Sequence, residues 1–486
     1  MNVRITPRRL SGSVTPPGSK SMAHRLLIAA ALASGESVIE GVAPSENPEA
    51  VEPSENAQAV TVAQDAGLSE SPEGVAPSED IPTERLTRPC RPPLGGDVAV
   101  RRQRGEDIEA TLRCLAALGA SWDVWNNAYR VTGIGANPAL FKMYKQVVAR
   151  LAASPRTPDN LSEQALPRFD CGESGSTLRF MIPIALAVTG GGVFTGHGRL
   201  MERPLTPYWT LFDEKGISYE RNGNALTVRG TLTPGLYRLP GDVSSQFFTG
   251  LLFALPLLDG ESVLESATPL QSAPYVRMTL DALSLAGVRI DADADRFTVR
   301  GQPYRAFRAA VETDWSQAAF WYAANFLGAD VDIQGLNPDS AQGDKIIASL
   351  CERMRRDGEL SLDMSDCPDL LPPLAVMSAV RHGLTRFVNA GRLRMKESDR
   401  LSTVARMLRA FGIDTEEGAD FLNVTGGTLR GGVADGANDH RIVMAAAVAA
   451  SVCAEGVTIT GADAVRKSYP DFWEQYQSLG GEIRIL

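Results

Sequence analysis

One pattern recurs along this chain and most restricts its possible folds: a helix-like segment ends at a glycine, and a strand, a turn and often a second strand follow. The glycines suit the position just after a helix, where the backbone turns left-handed. In four copies the second strand closes in Val-x-Gly, at Gly133, Gly230, Gly301 and Gly426. Two further copies contain Gly358 and Gly480. Six copies predict an α/β protein with two domains of three units each.

The net charge of −10 has a local origin. Residues 41–84 hold ten acidic side chains and no lysine or arginine, which leaves 48 basic and 48 acidic residues in the rest of the 486-residue chain. A neutral body with an acidic segment argues against nucleic acid as a partner. A cationic cleft in this body would have to arise from the placement of charges and not from their number.

Two segments interrupt the repeat pattern. Residues 41–95 are rich in Pro, Ser, Glu and Ala, and the heptapeptide at residues 40–46 recurs at residues 73–79. We interpret 47–105 as a mobile surface insertion, because joining residue 46 to residue 107 gives a smooth strand, turn and helix. A second insertion is expected at about residues 139–167, where a helical pattern from Phe141 to Leu151 precedes a loop with proline and asparagine.

The six cysteines are scattered, with no CxxC pair or metal-ligand spacing, which indicates free thiols in a reducing cytoplasm. Residues 1–14 lack the apolar core of a signal peptide, and the most apolar long stretch, residues 442–454, is too short to span a bilayer. We therefore expect a cytoplasmic protein that binds no membrane and no metal. The neutral body is compatible with a monomer.

The segment Pro17–Arg25 places Lys20, Ser21 and Arg25 where a strand gives way to a helix. A helix start with a serine cap and a lysine in solvent is one interpretation. A phosphate P-loop is excluded by spacing, because that motif has a glycine five residues before its Gly-Lys-Ser/Thr sequence and this segment does not. The functional interpretation is that all three side chains bind one anion at a helix N-terminus.

Comparable polar turns precede apolar helices further along the chain, at Asp170–Arg179, Arg199–Pro204, Gly241–Phe247, Gln271–Tyr275, Pro368–Pro373, Lys396–Arg400, Asn438–Arg441 and Lys467–Phe472. Each has an ordinary explanation, such as helix capping, an arginine paired with Glu202, or an exposed salt-bridged helix. Asp369 is either a cap or a general base, and we interpret His440 as a hydrogen-bonded orienting residue. In combination, these cations and carboxylates predict a cleft for two small, highly anionic molecules.

These segments, in this order, resemble those of the 5-enolpyruvylshikimate-3-phosphate synthase family of enolpyruvyl transferases. The resemblance covers nearly the whole chain apart from the two insertions. Seven dispersed motifs carry it: Pro17–Arg25, Gly172–Arg179, Arg199–Pro204, Val243–Phe247, Met395–Arg400, Asn438–Arg441 and Lys467–Phe472. It implies an inside-out α/β barrel in each of two domains, built from three βαβαββ repeats. The implied domains are residues 20–310, and residues 1–19 together with 311–486.

The resemblance also implies site residues. The family's shikimate-3-phosphate contacts fall on Lys20, Ser21, Arg25, Ser244, Ser245, Ser272 and Lys396. Its phosphoenolpyruvate contacts fall on Lys20, Gly175, Arg199, Gln246, Arg400, Arg441 and Lys467. The implied catalytic residues are Lys20, Asp369 as acceptor of the attacking hydroxyl's proton, and Glu397 as the acid that protonates the methylene carbon. The chain departs from the common pattern at Glu173, where many members carry asparagine, and at Arg392, where some members do.

The implied reaction belongs to aromatic amino acid biosynthesis and needs no cofactor. The 5-hydroxyl of shikimate-3-phosphate adds to C2 of phosphoenolpyruvate, and phosphate is then eliminated. Two phosphates and two carboxylates must share one cleft, so several cations are required. One close cation–anion pair contributes about 4 kcal/mol at an effective dielectric constant near 20, before the cost of desolvation.

Two other interpretations stay open on the sequence alone. A related transferase that acts on UDP-N-acetylglucosamine shares the repeat and phosphoenolpyruvate, but it uses a loop cysteine, and no cysteine here lies in a comparable Gly-rich basic loop. A catalytically inactive homologue would use the acidic insertion as an interaction segment. The presence of Lys20, Asp369, Glu397 and Lys467 argues against that second alternative.

Overall fold

The computed structural model describes residues 1–42, 105–125, 128–153 and 166–486. Nearly all of the first expected insertion, residues 47–105, lies outside these ranges. The second begins with a helix, Pro138–Ala153, that is longer than the sequence pattern indicates, and the loop expected after it lies outside the described residues until residue 166.

The helices and strands alternate along the chain. The α-helices are α1 (Lys20–Leu32), α2 (Glu106–Ala117), α3 (Pro138–Ala153), α4 (Gly175–Val188), α5 (Thr206–Lys215), α6 (Ser245–Ala254), α7 (Ala273–Leu285), α8 (Trp315–Phe326), α9 (Ile347–Met354), α10 (Leu371–Ser378), α11 (Arg400–Ala410), α12 (His440–Ala450) and α13 (Phe472–Ser478). The strands are β1 (Val3–Thr6), β2 (Ser11–Val14), β3 (Glu36–Glu40), β4 (Ser121–Trp125), β5 (Ala128–Thr132), β6 (Arg168–Asp170), β7 (Gly191–Thr195), β8 (Ser218–Asn222), β9 (Ala225–Arg229), β10 (Leu236–Leu239), β11 (Glu261–Ser266), β12 (Ile290–Asp293), β13 (Arg296–Arg300), β14 (Arg308–Ala310), β15 (Asp330–Ile333), β16 (Leu360–Asp363), β17 (Leu384–Val388), β18 (Asp414–Glu417), β19 (Leu422–Thr425), β20 (Gly432–Asp435), β21 (Val457–Thr460) and β22 (Glu482–Ile485).

Within the described ranges the strands form five four-stranded sheets and one two-stranded pair. Each four-stranded sheet contains one parallel pair and two antiparallel pairs, as in the order β6-β7-β9-β8. Each of three sheets, β6–β9, β10–β13 and β16–β19, is formed by its own uninterrupted βαβαββ stretch of chain. The other sheets pair strands that are distant in sequence: β14 joins β3, β1 lies between β21 and β22, and β2 pairs with β15. The repeat unit predicted from the sequence is therefore confirmed.

The helices lie inside and the sheets outside. Every residue of α12 is buried, and so is every residue of α1 from Ala23 onward. A helix that is apolar all round is typical of an interior position, whereas β10 alternates exposed and buried residues as a surface strand does. None of the helices in the described part of the chain is both long and apolar enough to cross a membrane.

The buried apolar residues of the described ranges form two hydrophobic clusters. One draws on residues 23–311, and the other on residues 3–14 and 315–479. The described residues nevertheless belong to one compact unit. The domain boundaries expected from the resemblance therefore stay a prediction.

The chain passes between these two clusters at two places that lie side by side. Ser19 N–H donates to Glu312 O at 2.7 Å, and Asp314 N–H donates to Pro17 O at 2.9 Å. Glycine is required at Gly18, because a Cβ there would collide with the carbonyl oxygen of Gly41. As a result α1 and α8 begin next to each other, and Asp314, the N-cap of α8, also accepts a hydrogen bond from Lys20 N–H at 3.1 Å.

Candidate active site

A cleft of about 1060 Å³, its open mouth included, lies among the N-termini of helices in the described part of the chain. Those of α2 and α8 place Asp107 and Asp314 in its wall, and six others place polar or cationic residues there. The lining residues at these termini are Lys20 and Ser21 of α1, Gly175 and Ser176 of α4, Ser245 and Gln246 of α6, the α7 cap Ser272, Arg400 of α11, and His440 and Arg441 of α12. The first turn of a helix carries unpaired N–H groups and a partial positive charge. Six such termini directed at one space favour anionic ligands.

The side chains add to this positive potential. Within the ranges that the structure describes, eight cationic side chains line the cleft: Lys20, Arg25, Arg179, Arg203, Arg392, Lys396, Arg400 and Arg441. They face four carboxylates: Asp107, Asp314, Asp369 and Glu397. Burial lowers the pKa of both Arg25 and Arg179 to about 10, which still leaves each charged at neutral pH. The cleft therefore keeps an excess of positive charge, although the body of the chain is neutral by composition.

Arg400 joins the two carboxylates that the resemblance implies as base and acid. Its Nη1 lies 2.8 Å from Asp369 Oδ1, and its Nη2 lies 2.5 Å from Glu397 Oε2. Its Nε lies 2.8 Å from Asp439 Oδ2, the N-cap of α12, and the Arg400 side chain is only 1% exposed. One guanidinium thus brings residues from three segments into a single site.

Both of these carboxyl groups are ionised at neutral pH. Burial by itself raises the pKa of Asp369, but Arg441, Lys396 and Arg400 together hold it well below its usual range. Arg441 Nη2 lies 3.0 Å from Asp369 Oδ2, and Lys396 Nζ lies 3.5 Å from Asp369 Oδ1. The pKa of Glu397 is likewise low, because Arg400 and then Arg203 outweigh the effect of burial.

Arg25 is held in one orientation by its surroundings. Its Nε donates to Thr279 Oγ1 at 2.9 Å, its Nη1 to Ser21 O at 2.6 Å, and its Nη2 to Tyr275 O at 3.0 Å. Its guanidinium carbon also lies 5.4 Å from the centre of the Phe180 ring. Such contacts fix the guanidinium before a ligand binds, which lowers the entropic cost of binding.

Lys20 has a partner that sequence reasoning missed. Its Nζ lies 2.7 Å from Asp107 Oδ2, in the first turn of α2. Asp107 follows the first expected insertion, and its sequence neighbourhood shows only a run of acids at a helix start, which is ordinary. No pattern in the sequence could have linked it to Lys20.

Of the implied site residues, all but Arg199 and Lys467 line the cleft. Arg199 is 52% exposed and lies 3.7 Å from Glu202, the ordinary ion pair considered for this motif. Arg203 lines the cleft instead and is 9% exposed. The 3₁₀ turn Leu200–Glu202 separates the two arginines, so they point to different environments. The sequence contained both arginines but no means to choose between them.

Lys467 is buried next to the cleft. Its Nζ lies 2.5 Å from Glu173 Oε2 and donates to Asn438 O at 2.7 Å. Ala437 and Asn438 have φ of +50° and +53°, a left-handed conformation that is uncommon for residues with a Cβ. Glu173 accepts a further hydrogen bond from Asn438 Nδ2 at 2.9 Å, and these contacts hold the strained segment in place.

His440 lines the cleft, but the expectation that it is hydrogen-bonded is wrong. Neither ring nitrogen has a hydrogen-bond partner among the described residues. Burial, with Lys20 and Arg441 nearby, holds the pKa of His440 well below 6.5, so the ring is neutral. Arg392, the other departure from the family pattern, lines the cleft and donates through Nη2 to Ser365 O.

Comparison with known proteins gives a consistent result. Residues 5–51 and 103–476 match the profile of the family described as EPSP synthase (3-phosphoshikimate 1-carboxyvinyltransferase). The unmatched residues 52–102 fall inside the first expected insertion. The 3-phosphoshikimate 1-carboxyvinyltransferases of Clostridium novyi and Clostridium kluyveri are 36% and 37% identical to this chain, over 99% of this chain and 98% of each relative.

Solved structures show the same fold. An EPSP synthase from Acinetobacter baumannii superposes with a TM-score of 0.67 at 20% identity, over the whole of both chains. The enolpyruvyl transferase NikO from Streptomyces tendae superposes with a TM-score of 0.64 at 17% identity, over 99% of this chain and 98% of that one. The two-domain inside-out α/β architecture of such structures is the fold class expected from the sequence.

Proposed function

The chain belongs to the EPSP synthase family, and from this premise we propose that its cleft carries out the family's reaction with Asp369 as proton acceptor and Glu397 as proton donor. The reaction transfers the enolpyruvyl group of phosphoenolpyruvate to the 5-hydroxyl of shikimate-3-phosphate and releases phosphate, in chorismate and aromatic amino acid biosynthesis. The observation that supports the two roles best is the contact of Arg400 with both carboxylates.

Asp369 suits the role of acceptor because it is a partly buried carboxylate that stays ionised. Its low pKa means that it is fully deprotonated whenever a substrate hydroxyl approaches. Arg441 and Lys396 fix both of its oxygens, so a hydroxyl placed beside it meets a carboxylate of defined orientation. Its negative charge also stabilises the positive charge that the attacking oxygen develops as it bonds to carbon.

Glu397 has to carry a proton before it can donate one. Arg400 and Arg203 hold its pKa low in this structure, and both are candidates to bind phosphoenolpyruvate. An anion that binds these arginines cancels part of their charge and places its own negative charge nearby. Both effects raise the pKa of Glu397. Substrate binding therefore creates the acid that protonates the methylene carbon.

The candidate contacts of the two substrates lie in or next to the cleft and share Lys20. For shikimate-3-phosphate these are Lys20, Ser21, Arg25, Ser244, Ser245, Ser272 and Lys396. For phosphoenolpyruvate they are Lys20, Gly175, Gln246, Arg400, Arg441 and Lys467, with Arg203 in the place expected for Arg199. Gln246 is already oriented, because its Oε1 accepts from Arg179 Nη1 at 2.7 Å and its Nε2 donates to Ser176 Oγ at 2.8 Å.

We also propose that residues 20–310 and residues 1–19 with 311–486 act as two domains, and that the protein works as a cytoplasmic monomer. The two hydrophobic clusters and the paired chain crossings support the domains. The neutral body of the chain is compatible with a monomer. Five cysteines in the described residues are buried and free, as expected in a reducing compartment.

The test is an assay of phosphate release from shikimate-3-phosphate and phosphoenolpyruvate. The wild-type protein should release one phosphate per product formed. Glu397→Gln and Asp369→Asn should each lower kcat by about 10²- to 10⁴-fold, the usual contribution of one proton-transfer group. Binding of both substrates, measured by calorimetry, should change far less than kcat.

A matched control lies three residues away. Asp366 is an exposed carboxylate on the same loop and does not line the cleft. Asp366→Asn should keep kcat within about twofold of wild type, since surface substitutions rarely perturb a site. If Asp369→Asn and Glu397→Gln both retained wild-type turnover, the assignment of base and acid would be lost.

A further inference from the structure

A second cavity of about 210 Å³, its open mouth included, lies beside the cleft. Tyr275 lines both spaces, whereas Asp344 lines only the smaller one. Tyr275 Oη lies 3.5 Å from Asp369 Oδ2 and 3.2 Å from Asp344 Oδ2. The three side chains therefore form a continuous hydrogen-bonding path from the proposed base to the smaller cavity.

The fold brings Asp344 to this path by packing its turn closely against the start of α7. Asp344 lies in the 3₁₀ turn Gly343–Ile346, which packs against the start of α7. A Cβ on Gly343 would lie 2.8 Å from the ring atoms of Pro274, so a side chain there would push the turn away from Tyr275. Gln342 anchors the same turn by donating through Nε2 to Thr313 O at 2.9 Å. Asp344 is consequently buried at a fixed distance from the tyrosine hydroxyl.

Asp344 is surrounded by groups of both signs. Those that face it are Tyr275 of α7, Asp369 ahead of α10, Arg441 of α12, Asp314 at the cap of α8, and Ser316 in the first turn of α8. Burial, and next the negative charge of Asp369, raise the pKa of Asp344 to about 7, against the opposing effects of Arg441 and the Ser316 hydroxyl. Neither Asp344 Oδ1 nor Ser316 Oγ completes a hydrogen bond of normal geometry with a described residue.

The pKa shifts of Asp369, Tyr275 and Asp344 favour transfer of a proton from Asp369 to Asp344. The pKa of Asp369 is held well below its usual range, so a proton placed there is readily lost. Asp344 binds a proton more tightly, since its pKa is raised. Burial, with Asp344 and Asp369 nearby, raises the pKa of Tyr275 well above 10, so the phenol keeps its proton at neutral pH. A proton on Asp369 is therefore more stable on Asp344.

We propose that Tyr275 and Asp344 form a proton path that carries the proton accepted by Asp369 away from the reacting atoms to the smaller cavity. The proposal rests on the proposed function, in which Asp369 takes the proton of the attacking hydroxyl. Asp344 acts through Asp369 and is not itself a catalytic residue. The path would return Asp369 to its ionised form during each turnover.

The transfer balances without any change in redox state. The O–H bond on Asp369 Oδ2 breaks as its proton bonds to Tyr275 Oη, while the phenol's own proton passes to Asp344 Oδ2. Tyr275 is neutral before and after. Asp369 becomes a carboxylate again, Asp344 becomes a neutral acid, and Asp344 then gives its proton to solvent in the smaller cavity.

The experiment compares Tyr275→Phe, Asp344→Asn and Asp344→Glu in the phosphate-release assay, across pH 5.5–9 and in both H₂O and D₂O. Tyr275→Phe and Asp344→Asn should lower kcat about 5- to 50-fold and increase the solvent isotope effect on kcat. The wild-type kcat profile should bend near pH 7, and this bend should disappear in Asp344→Asn. Asp344→Glu, which keeps a carboxyl group, should recover most of the lost rate and the bend.

The double variant Tyr275→Phe/Asp344→Asn provides a second criterion. Two residues of one path act as a unit, so the double variant should be no slower than the slower single variant. Calorimetric Kd values for both substrates should stay within about threefold of wild type. A melting curve for each variant identifies any loss of folded protein, and Tyr275→Phe preserves the volume of the partly buried ring.

Several results would overturn the path. An Asp344→Asn variant with wild-type kcat and an unchanged pH profile would do so. A slower variant whose pH profile and isotope effect match wild type would show that Asp344 only supports the structure. Failure of the proposed function looks different, because wild-type protein would then release no phosphate, or Asp369→Asn would be as active as wild type.

Discussion

Lys467 Nζ lies 2.5 Å from Glu173 Oε2, which joins a lysine near the C-terminus to the turn ahead of α4, 294 residues earlier. Asn438 takes part by donating through Nδ2 to the same carboxylate oxygen at 2.9 Å. The family resemblance implies that Lys467 contacts phosphoenolpyruvate, and that position 173 often carries asparagine. In this chain the Glu173 carboxylate is therefore paired with the lysine that the substrate anion should bind.

Glu173→Gln should strengthen the binding of phosphoenolpyruvate. The substrate anion no longer has to displace a carboxylate from Lys467, and one negative charge beside it is removed. A partly buried ion pair of this kind is worth about 1 kcal/mol, so KM for phosphoenolpyruvate should fall about three- to tenfold. Steady-state kinetics at saturating shikimate-3-phosphate measure the change.

Glu202→Gln is the control for that substitution, because it removes an exposed carboxylate whose partner, Arg199, lies outside the cleft. Its KM should stay at the wild-type value. A KM for Glu173→Gln that rises, or that equals the control, would mean that the ion pair does not compete with the substrate.

Arg203→Ala and Arg199→Ala form a matched pair of substitutions on one loop. Arg203 lines the cleft and helps to lower the pKa of Glu397, whereas Arg199 is half exposed on the other side of a 3₁₀ turn. Removing a charge-assisted contact to a substrate anion costs about 2–3 kcal/mol, so Arg203→Ala should lose about 30- to 150-fold in kcat/KM for phosphoenolpyruvate. Arg199→Ala should lose less than about twofold. The reverse ranking would restore the residue implied by the sequence motif.

Gly175→Ala should weaken phosphoenolpyruvate binding while leaving the fold intact. A Cβ at this position would lie 2.5 Å from Arg203 Nη1 and 3.1 Å from Arg179 Nη1. Both atoms are ends of flexible side chains, so the arginines can move aside, and helix α4 gains a residue of higher helix propensity. KM for phosphoenolpyruvate should rise about tenfold, with Tm within about 2 °C of wild type. A large fall in Tm would show instead that the packing around Gly175 is rigid.

Much of the fold follows from local sequence signals. The glycines that follow the helices of the repeat do adopt left-handed conformations, as at Gly119, Gly287 and Gly412. The repeat that they mark predicts the βαβαββ unit seen in three of the sheets. The remaining sheets could not be derived in this way. Strand β1 is inserted between β21 and β22, and β14 is added beside β3. These pairings depend on contacts across hundreds of residues, which no local pattern records.

The candidate site likewise contains residues that local sequence signals predict and residues that they do not. Residues at helix starts, such as Ser21, Ser245 and Arg400, could be found from the sequence because capping and anion binding require particular residue types there. Their partners could not. Asp107 beside Lys20 lies at the start of α2, and Asp344 beside Tyr275 lies in a 3₁₀ turn. Both segments have ordinary sequences, and only the packing of helices against each other places these carboxylates.

Asp344 should also affect stability in a pH-dependent way. Its pKa is raised from 3.8 in the unfolded chain to about 7 in the folded one, so the folded state binds the proton more tightly. A group of this kind contributes stability that is full below the unfolded pKa and is lost as pH rises toward the folded pKa. Asp344→Asn, which mimics the neutral acid, should therefore gain stability relative to wild type as pH rises from 5 to 7 and level off above 8.

The expected gain follows from about 1.4 kcal/mol per pH unit, or roughly 2–3 kcal/mol between pH 5 and pH 8. At about 2 °C per kcal/mol, the Tm difference between Asp344→Asn and wild type should widen by roughly 4–6 °C. Asp363→Asn is the control, since the pKa of Asp363 is lowered and its effect lies below pH 4. Parallel Tm curves for Asp344→Asn and wild type between pH 5 and pH 8 would mean that Asp344 is ionised throughout, and the proton path would lose its acceptor.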